Sequence, residues 1–321
     1  MPGVGCPTAA NTYVAYYLKE QVHTGWVLPL FDAKLASTAN LPDYVKIDPA
    51  EAQASGVPAA PASVWLILPG VPPCKATAGG YYAAKFDEPP NRAYGVELEG
   101  CSAPQNDEEA LALISEQPPS ECAVAVPHPI ASRLGQMDDQ HHWHRPTQET
   151  PIPAVLAPDV PTHECKAPGC EMLWAFIEID VGKQPVAWGG AVNWLQVPTS
   201  ADPATQCQWP AETYSGFFVP GSDGKPVKLD DDPARPLTLA AVLADRSGPK
   251  VAMAYGAGEY ASYDLAATGA TLGHRVTWVA APPEAYTAAT RIGPECDQPQ
   301  QAAPSPPPPP PASAKPVSPY P

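Results

Sequence analysis

The stretch Tyr94-Gly95-Val96-Glu97-Leu98-Glu99 decides how the chain is read. Tyr94, Val96 and Leu98 fall on one face of an extended segment, and Gly95, Glu97 and Glu99 on the other, the period-two pattern of a strand with one apolar side. Glu97 and Glu99 have the spacing of paired acid/base carboxylates, but a solvent-facing polar row explains them better. Outward from this segment, residues 13–18, 26–31, 64–68, 81–86 and 122–126 repeat the theme as short aromatic or β-branched runs bounded by Pro or Gly. In the second half Ile177 and Ile179 oppose Glu178 and Asp180 within 173–180, and runs at 185–197, 213–219, 227–229, 237–244, 250–255 and 275–279 follow. Asp223-Gly224 carries the signal of a tight hairpin.

One short helix is expected near 107–117. Asp107 caps it, Glu108 and Glu109 suit its first turn, Leu111, Leu113 and Ile114 give it an apolar side, and Pro118-Pro119 end it. The fold class is therefore mainly β, with two domains of short antiparallel strands in sandwich or barrel-like form. Residues 1–129 form a β-rich domain with the docked helix, and 130–161 a His- and Pro-rich linker or loop. Residues 162–296 form an all-β, tryptophan-rich domain, and 297–321 a proline-rich tail, disordered alone and extended by Pro306–311.

Composition narrows the function classes. The chain has 46 prolines in 321 residues, against an average usage of ~5%, which leaves little room for long helices. Eighteen Lys and Arg against 34 Asp and Glu give a net charge of −16, so nucleic acid and anionic lipid are poor partners. No apolar run approaches the ~18 residues of a membrane-spanning helix.

Eight cysteines, Cys6, Cys74, Cys101, Cys122, Cys165, Cys170, Cys207 and Cys296, form no C-x-x-C pair. An even, scattered set points to four disulfides and an oxidising compartment. Cys165 and Cys170 flank a Lys-Ala-Pro-Gly turn, Cys207 and Cys296 can close the second half, and the other four lie in the first. The start, Met-Pro-Gly-Val-Gly-Cys, has neither the basic nor the apolar region of a signal peptide. An extracytoplasmic home with the signal outside this chain is the expectation; Val4-Gly5-Cys6 also allows a lipidated Cys6, which would leave seven cysteines.

Two constellations carry candidate sites. Trp174, Trp188, Trp194 and Trp209, with Tyr214 just beyond, offer flat faces for a protein or carbohydrate ligand, or else fill the space between two sheets. His141, His142 and His144, with His163, have the donors of a zinc site, although their spacing matches no helical motif. Gly256-Ala257-Gly258-Glu259-Tyr260-Ala261 has the letters of a dinucleotide turn, with a glycine-rich β-turn as the ordinary explanation. Asp230-Asp231-Asp232 offers oxygens to calcium or marks a solvated turn. No G-x-S-x-G elbow and no P-loop occurs.

The expected function is that of a non-catalytic binding or structural-interaction protein without a cofactor, its proline-rich tail tethering it to a larger assembly. The alternative is a zinc-dependent hydrolase using the His141–144 cluster with His163.

Overall fold

The computed structural model describes residues 6–19, 23–68, 70–87, 90–104, 109–134, 136–137, 143–144, 147–158, 160, 170–196, 210–221, 223, 225–229, 237–256, 259–266 and 269–277. After a 3-10 turn at Ala9–Asn11, the first half supplies β1 (Thr12–Lys19), β2 (Thr24–Lys34), β3 (Tyr44–Ile47), helix α1 (Pro49–Ala54), β4 (Val64–Ile67), β5 (Cys74–Asp87), β6 (Pro90–Glu99) and β7 (Glu109–Ile114). Next come β8 (Ala123–Ala125), β9 (His128–Arg133), β10 (Gln136–Met137) and β11 (Trp143–His144). The second half adds β12 (Cys170–Val181), β13 (Gln184–Gln196), β14 (Pro210–Pro220), β15 (Pro226–Lys228), β16 (Thr238–Asp245), β17 (Gly248–Gly256), β18 (Glu259–Ala266) and β19 (Gly269–Thr277).

The strands β5-β4-β7-β1-β2-β6 close on themselves, because β6 pairs again with β5, and β3 adds to the free length of β5. Every one of these pairings is antiparallel. Closure removes the exposed edges an open sheet would carry. The barrel interior is solid with Trp26, Leu28, Leu66, Val96 and Leu98. One end is capped by α1, which Asp48 starts by accepting from the Glu51 amide at 2.7 Å and Pro49 favours at its first turn. Ala52 and Val57 pack there on Ile47 and Tyr94. Gly95 lies opposite Tyr82, and a methyl at Gly95 would sit 2.7 Å from the Tyr82 ring and 2.2 Å from the Leu28 carbonyl oxygen. That close approach is why the strand face carries glycine.

Two five-stranded antiparallel sheets follow, a middle sheet β19-β18-β17-β16-β8 and an outer sheet β15-β14-β13-β12-β9. The middle sheet is buried on both faces. Ala241, Leu243, Val251, Met253 and Tyr260 pack on Val14, Tyr16, Val27, Leu111 and Leu113 of the barrel wall. Val242, Ala252, Ala254 and Tyr263 pack on Ile179, Ala187, Phe217 and Val219 of the outer sheet. Polar bonds reinforce the barrel junction: the Tyr260 hydroxyl donates to the Pro29 carbonyl at 2.7 Å, the Ala9 amide to Asp264 at 2.7 Å, and the Ser262 hydroxyl to the Ala9 carbonyl at 2.8 Å.

The chain is mainly β, as its alternation predicts, but the expected helix near 107–117 is not formed. Residues 109–114 are instead β7, set between β4 and β1. Ala110 and Ala112 point into the barrel and Leu111 and Leu113 towards the middle sheet, so a strand with two buried faces hides its alternation. The boundary expected at 129 falls inside β9, and β8 of the first half is the edge strand of the middle sheet. Segment 130–161 supplies most of β9 and places Leu156 and Val160 on the outer sheet. The tail, 297–321, lies outside the described residues.

Among the described residues two disulfides are present, Cys6–Cys122 and Cys74–Cys101, with Cα atoms 4.8 and 5.9 Å apart. The first joins the segment before β1 to the entry of the middle sheet, and the second ties the start of β5 to the chain leaving β6. They are compatible with an extracytoplasmic protein. Cys165, Cys207 and Cys296 lie outside the described residues, as does the Cys170 side chain. No helix among the described residues is long and apolar enough to cross a membrane.

Candidate functional site

Where the barrel leans on the edge of the middle sheet, the two surfaces diverge and leave a cleft of about 530 Å³. Ile67 and Leu111 form its barrel wall, Val124, Ala241 and Tyr255 its opposite wall, and Glu109 stands at the rim. The Cys6–Cys122 bridge lies beside it, since Cys122 belongs to the lining. Burial, followed by the nearby Glu109 carboxylate, holds the Tyr255 hydroxyl well above the usual phenol range, so it is a neutral donor. The mouth is unusually apolar. Val124 and Val126 are 37% and 64% exposed, and Val71, beside the lining residue Gly70, is 55% exposed. Volume, apolar walls and a few polar groups are the attributes of a small-molecule site.

The tryptophan surface expected from sequence is a core. Trp174, Trp188 and Trp194 are 6%, 4% and 2% exposed and pack with Phe176, Val192 and Phe218 under Leu156 and Val160. Trp188 and Trp194 do share a strand face, and that face is covered, so these three indoles present no stacking platform. Tyr214 is half-buried against the same cluster, with the Lys228 ammonium 4.7 Å from its ring centre. Trp209, His141, His142, His163 and Asp230–232 lie outside the described residues, and so does the side chain of His144, whose backbone is in β11. The 256–261 motif joins β17 to β18 in a hairpin with Gly256 opposite Glu259, and a strand stands where a dinucleotide turn needs a helix.

Glu97 is not part of a solvated row. Only 9% of its side chain is exposed, and it accepts from the Lys46 ammonium at 2.7 Å and the Tyr44 hydroxyl at 3.1 Å, with His23 Nδ1 3.2 Å away. The Tyr44 ring stacks between His23 and Tyr82. Burial, then the Glu97 charge, raises both the Tyr44 and Tyr82 hydroxyls above the usual range. His23 Nε2 is buried and has no hydrogen-bond partner among the described residues. The hub is a closed structural cluster.

Sequence reading missed a third group altogether. On the outer sheet His128 of β9 lies directly opposite Glu178 of β12, and Asp180 follows two residues along. The His128 Nε2 atom is 3.8 Å from Glu178 and 3.9 Å from Asp180. The other Glu178 oxygen accepts from Trp188 Nε1 at 2.5 Å. The alternation of Glu178 and Asp180 was visible in the sequence; the partner histidine, 50 residues earlier, was not.

Comparison with known proteins finds no matching family model, no matching curated protein and no matching solved structure.

Proposed function

We propose that the protein is an extracytoplasmic, disulfide-stabilised binding protein that holds an apolar small molecule in the cleft between barrel and middle sheet, without chemistry of its own. The cleft carries this reading: it pairs a volume of about 530 Å³ with apolar walls and an exposed valine rim. The buried Tyr255 hydroxyl and the Glu109 carboxylate orient a ligand bearing a hydrogen-bonding or cationic end. Among the described lining residues there is no nucleophile beside a base, since Cys122 is in a disulfide. The proline-rich tail spaces this body from its point of attachment.

Titration of the full chain with Nile red, a neutral apolar fluorophore, tests the reading. Saturable binding is expected at one site. Ala240→Phe, which fills the cleft from a half-buried position, and Val124→Glu, which charges its mouth, should each abolish it while the melting temperature holds. Absence of saturable binding, or binding that both variants leave intact, rejects the cleft. Tryptophan quenching by an oligosaccharide instead would return attention to Trp209.

A further inference from the structure

We propose that His128, Glu178 and Asp180 form a binding site for a divalent transition cation of the zinc class. The three donor atoms lie within 4.8 Å of one another on two adjacent strands, so one ion can reach all three once these partly exposed side chains close in by roughly an ångström. Zinc takes imidazole nitrogen at roughly 2.0–2.1 Å and carboxylate oxygen at roughly 2.0–2.2 Å. Two features separate this group from an ordinary patch of acids.

The first is rigidity from outside the cluster. Trp188, buried in the outer-sheet core, clamps one oxygen of Glu178 and turns the other towards His128. Metal sites hold their ligands by such outer-shell bonds. The second is charge. Among the described residues neither Glu178 nor Asp180 has a Lys or Arg partner, and His128 is the one basic group that faces them. Glu97, by contrast, has Lys46 at 2.7 Å. Two carboxylates held on one strand face repel each other, and a dication bound between them relieves that repulsion. Imidazole with two carboxylates favours zinc over calcium, which prefers an all-oxygen shell. The remaining coordination position faces solvent, as all three side chains are partly exposed. This site is independent of the apolar cleft.

The test is zinc titration of the full chain at neutral pH against a competing chromophoric chelator. One bound equivalent is expected to weaken by about tenfold or more in each of His128→Gln, Glu178→Gln and Asp180→Asn. The same equivalent should survive when His141, His142 and His144 are all changed to Asn, which removes zinc held by that segment. Glu178→Gln keeps an acceptor for Trp188, so its melting temperature without metal reports whether the fold is intact. The proposal is overturned if no zinc competes with the chelator, or if the equivalent persists in all three site variants. It is overturned as well if calcium binds as tightly as zinc, or if loss of the equivalent tracks the histidine-rich segment alone.

Discussion

The barrel and the outer sheet handle the same chemical ingredients in opposite ways. Each sets a histidine beside a carboxylate carried on a strand, His23 just before β2 in the barrel and His128 on β9 in the outer sheet. In the barrel, Glu97 is buried and met by Lys46, Tyr44 and His23, and the Cys74–Cys101 bridge closes the wall near the end of the same strand. In the outer sheet, Glu178 and Asp180 stay partly in water, with His128 in front and Trp188 behind. A buried charge needs its partners within the fold, whereas a half-exposed one leaves room for a partner from solution. The difference separates a cluster that holds the structure together from one that is free to bind.

Four measurements sharpen or break that contrast. The largest effect belongs to the covalent ties. Cys6→Ala with Cys122→Ala, opening a sequence separation of 116, should lower unfolding free energy by about 4–5 kcal/mol in urea melts. Cys74→Ala with Cys101→Ala, at a separation of 27, should lower it by about 3–4 kcal/mol, following loop-closure scaling. Equal losses from the two would show that loop length does not govern their contribution.

Next comes the barrel hub. Glu97→Ala leaves the Tyr44 hydroxyl and His23 Nδ1 without their acceptor, and should cost about 3 kcal/mol by the same assay. A cost below about 1 kcal/mol would mean the hub is dispensable.

The third effect depends on pH. His274 of β19 stacks on Tyr13 at 4.1 Å and meets Tyr260 edge-on, with the Ser262 hydroxyl 3.2 Å from Nδ1. Burial depresses its pKa from 6.5 to about 4. The unfolded chain therefore takes up this proton first as pH falls. Its contribution is fully present above about pH 6.5, declines towards pH 4, and amounts to about 2 kcal/mol of lost stability between pH 7 and pH 5. His274→Phe should flatten that slope, and an unchanged slope would assign it to other groups.

The smallest effect is the counterpart of the second. Glu178→Gln without metal should alter stability by no more than about 0.5 kcal/mol. A loss as large as that of Glu97→Ala would erase the distinction between the two clusters.

Much of the architecture was legible because half-buried strands declare themselves. Residues 94–99 became β6, and Ile177 and Ile179 do face the middle sheet while Glu178 turns away. The signal fails where both faces are covered. Residues 109–114 and 237–244 are both nearly continuous apolar runs; Pro and Gly punctuation gave away the second, while Glu108 and Glu109 made the first resemble a helix start. The true helix was passed over, although Asp48-Pro49-Ala50-Glu51, a cap followed by proline and an acid three residues on, carries its signal. The cleft could not be read, since its walls come from β4 and β7 of the barrel and β8, β16 and β17 of the middle sheet, which only the packing of the one on the other brings together. The six-residue spacing of Trp188 and Trp194 puts both on one strand face, yet no local pattern says whether Leu156 will cover that face.

The middle sheet, apolar on both sides, also sets a timetable for synthesis. The last barrel strand ends at Ile114, and the last strand of its cover ends at Thr277, about 160 residues later. At ~5–20 residues per second a ribosome needs roughly 8–30 s to deliver that interval. For that time Val14, Tyr16, Leu111 and Leu113 have no native cover. The nascent barrel therefore emerges with a sticky flank that a chaperone must shield, or closes late, once its own C-terminal half has arrived.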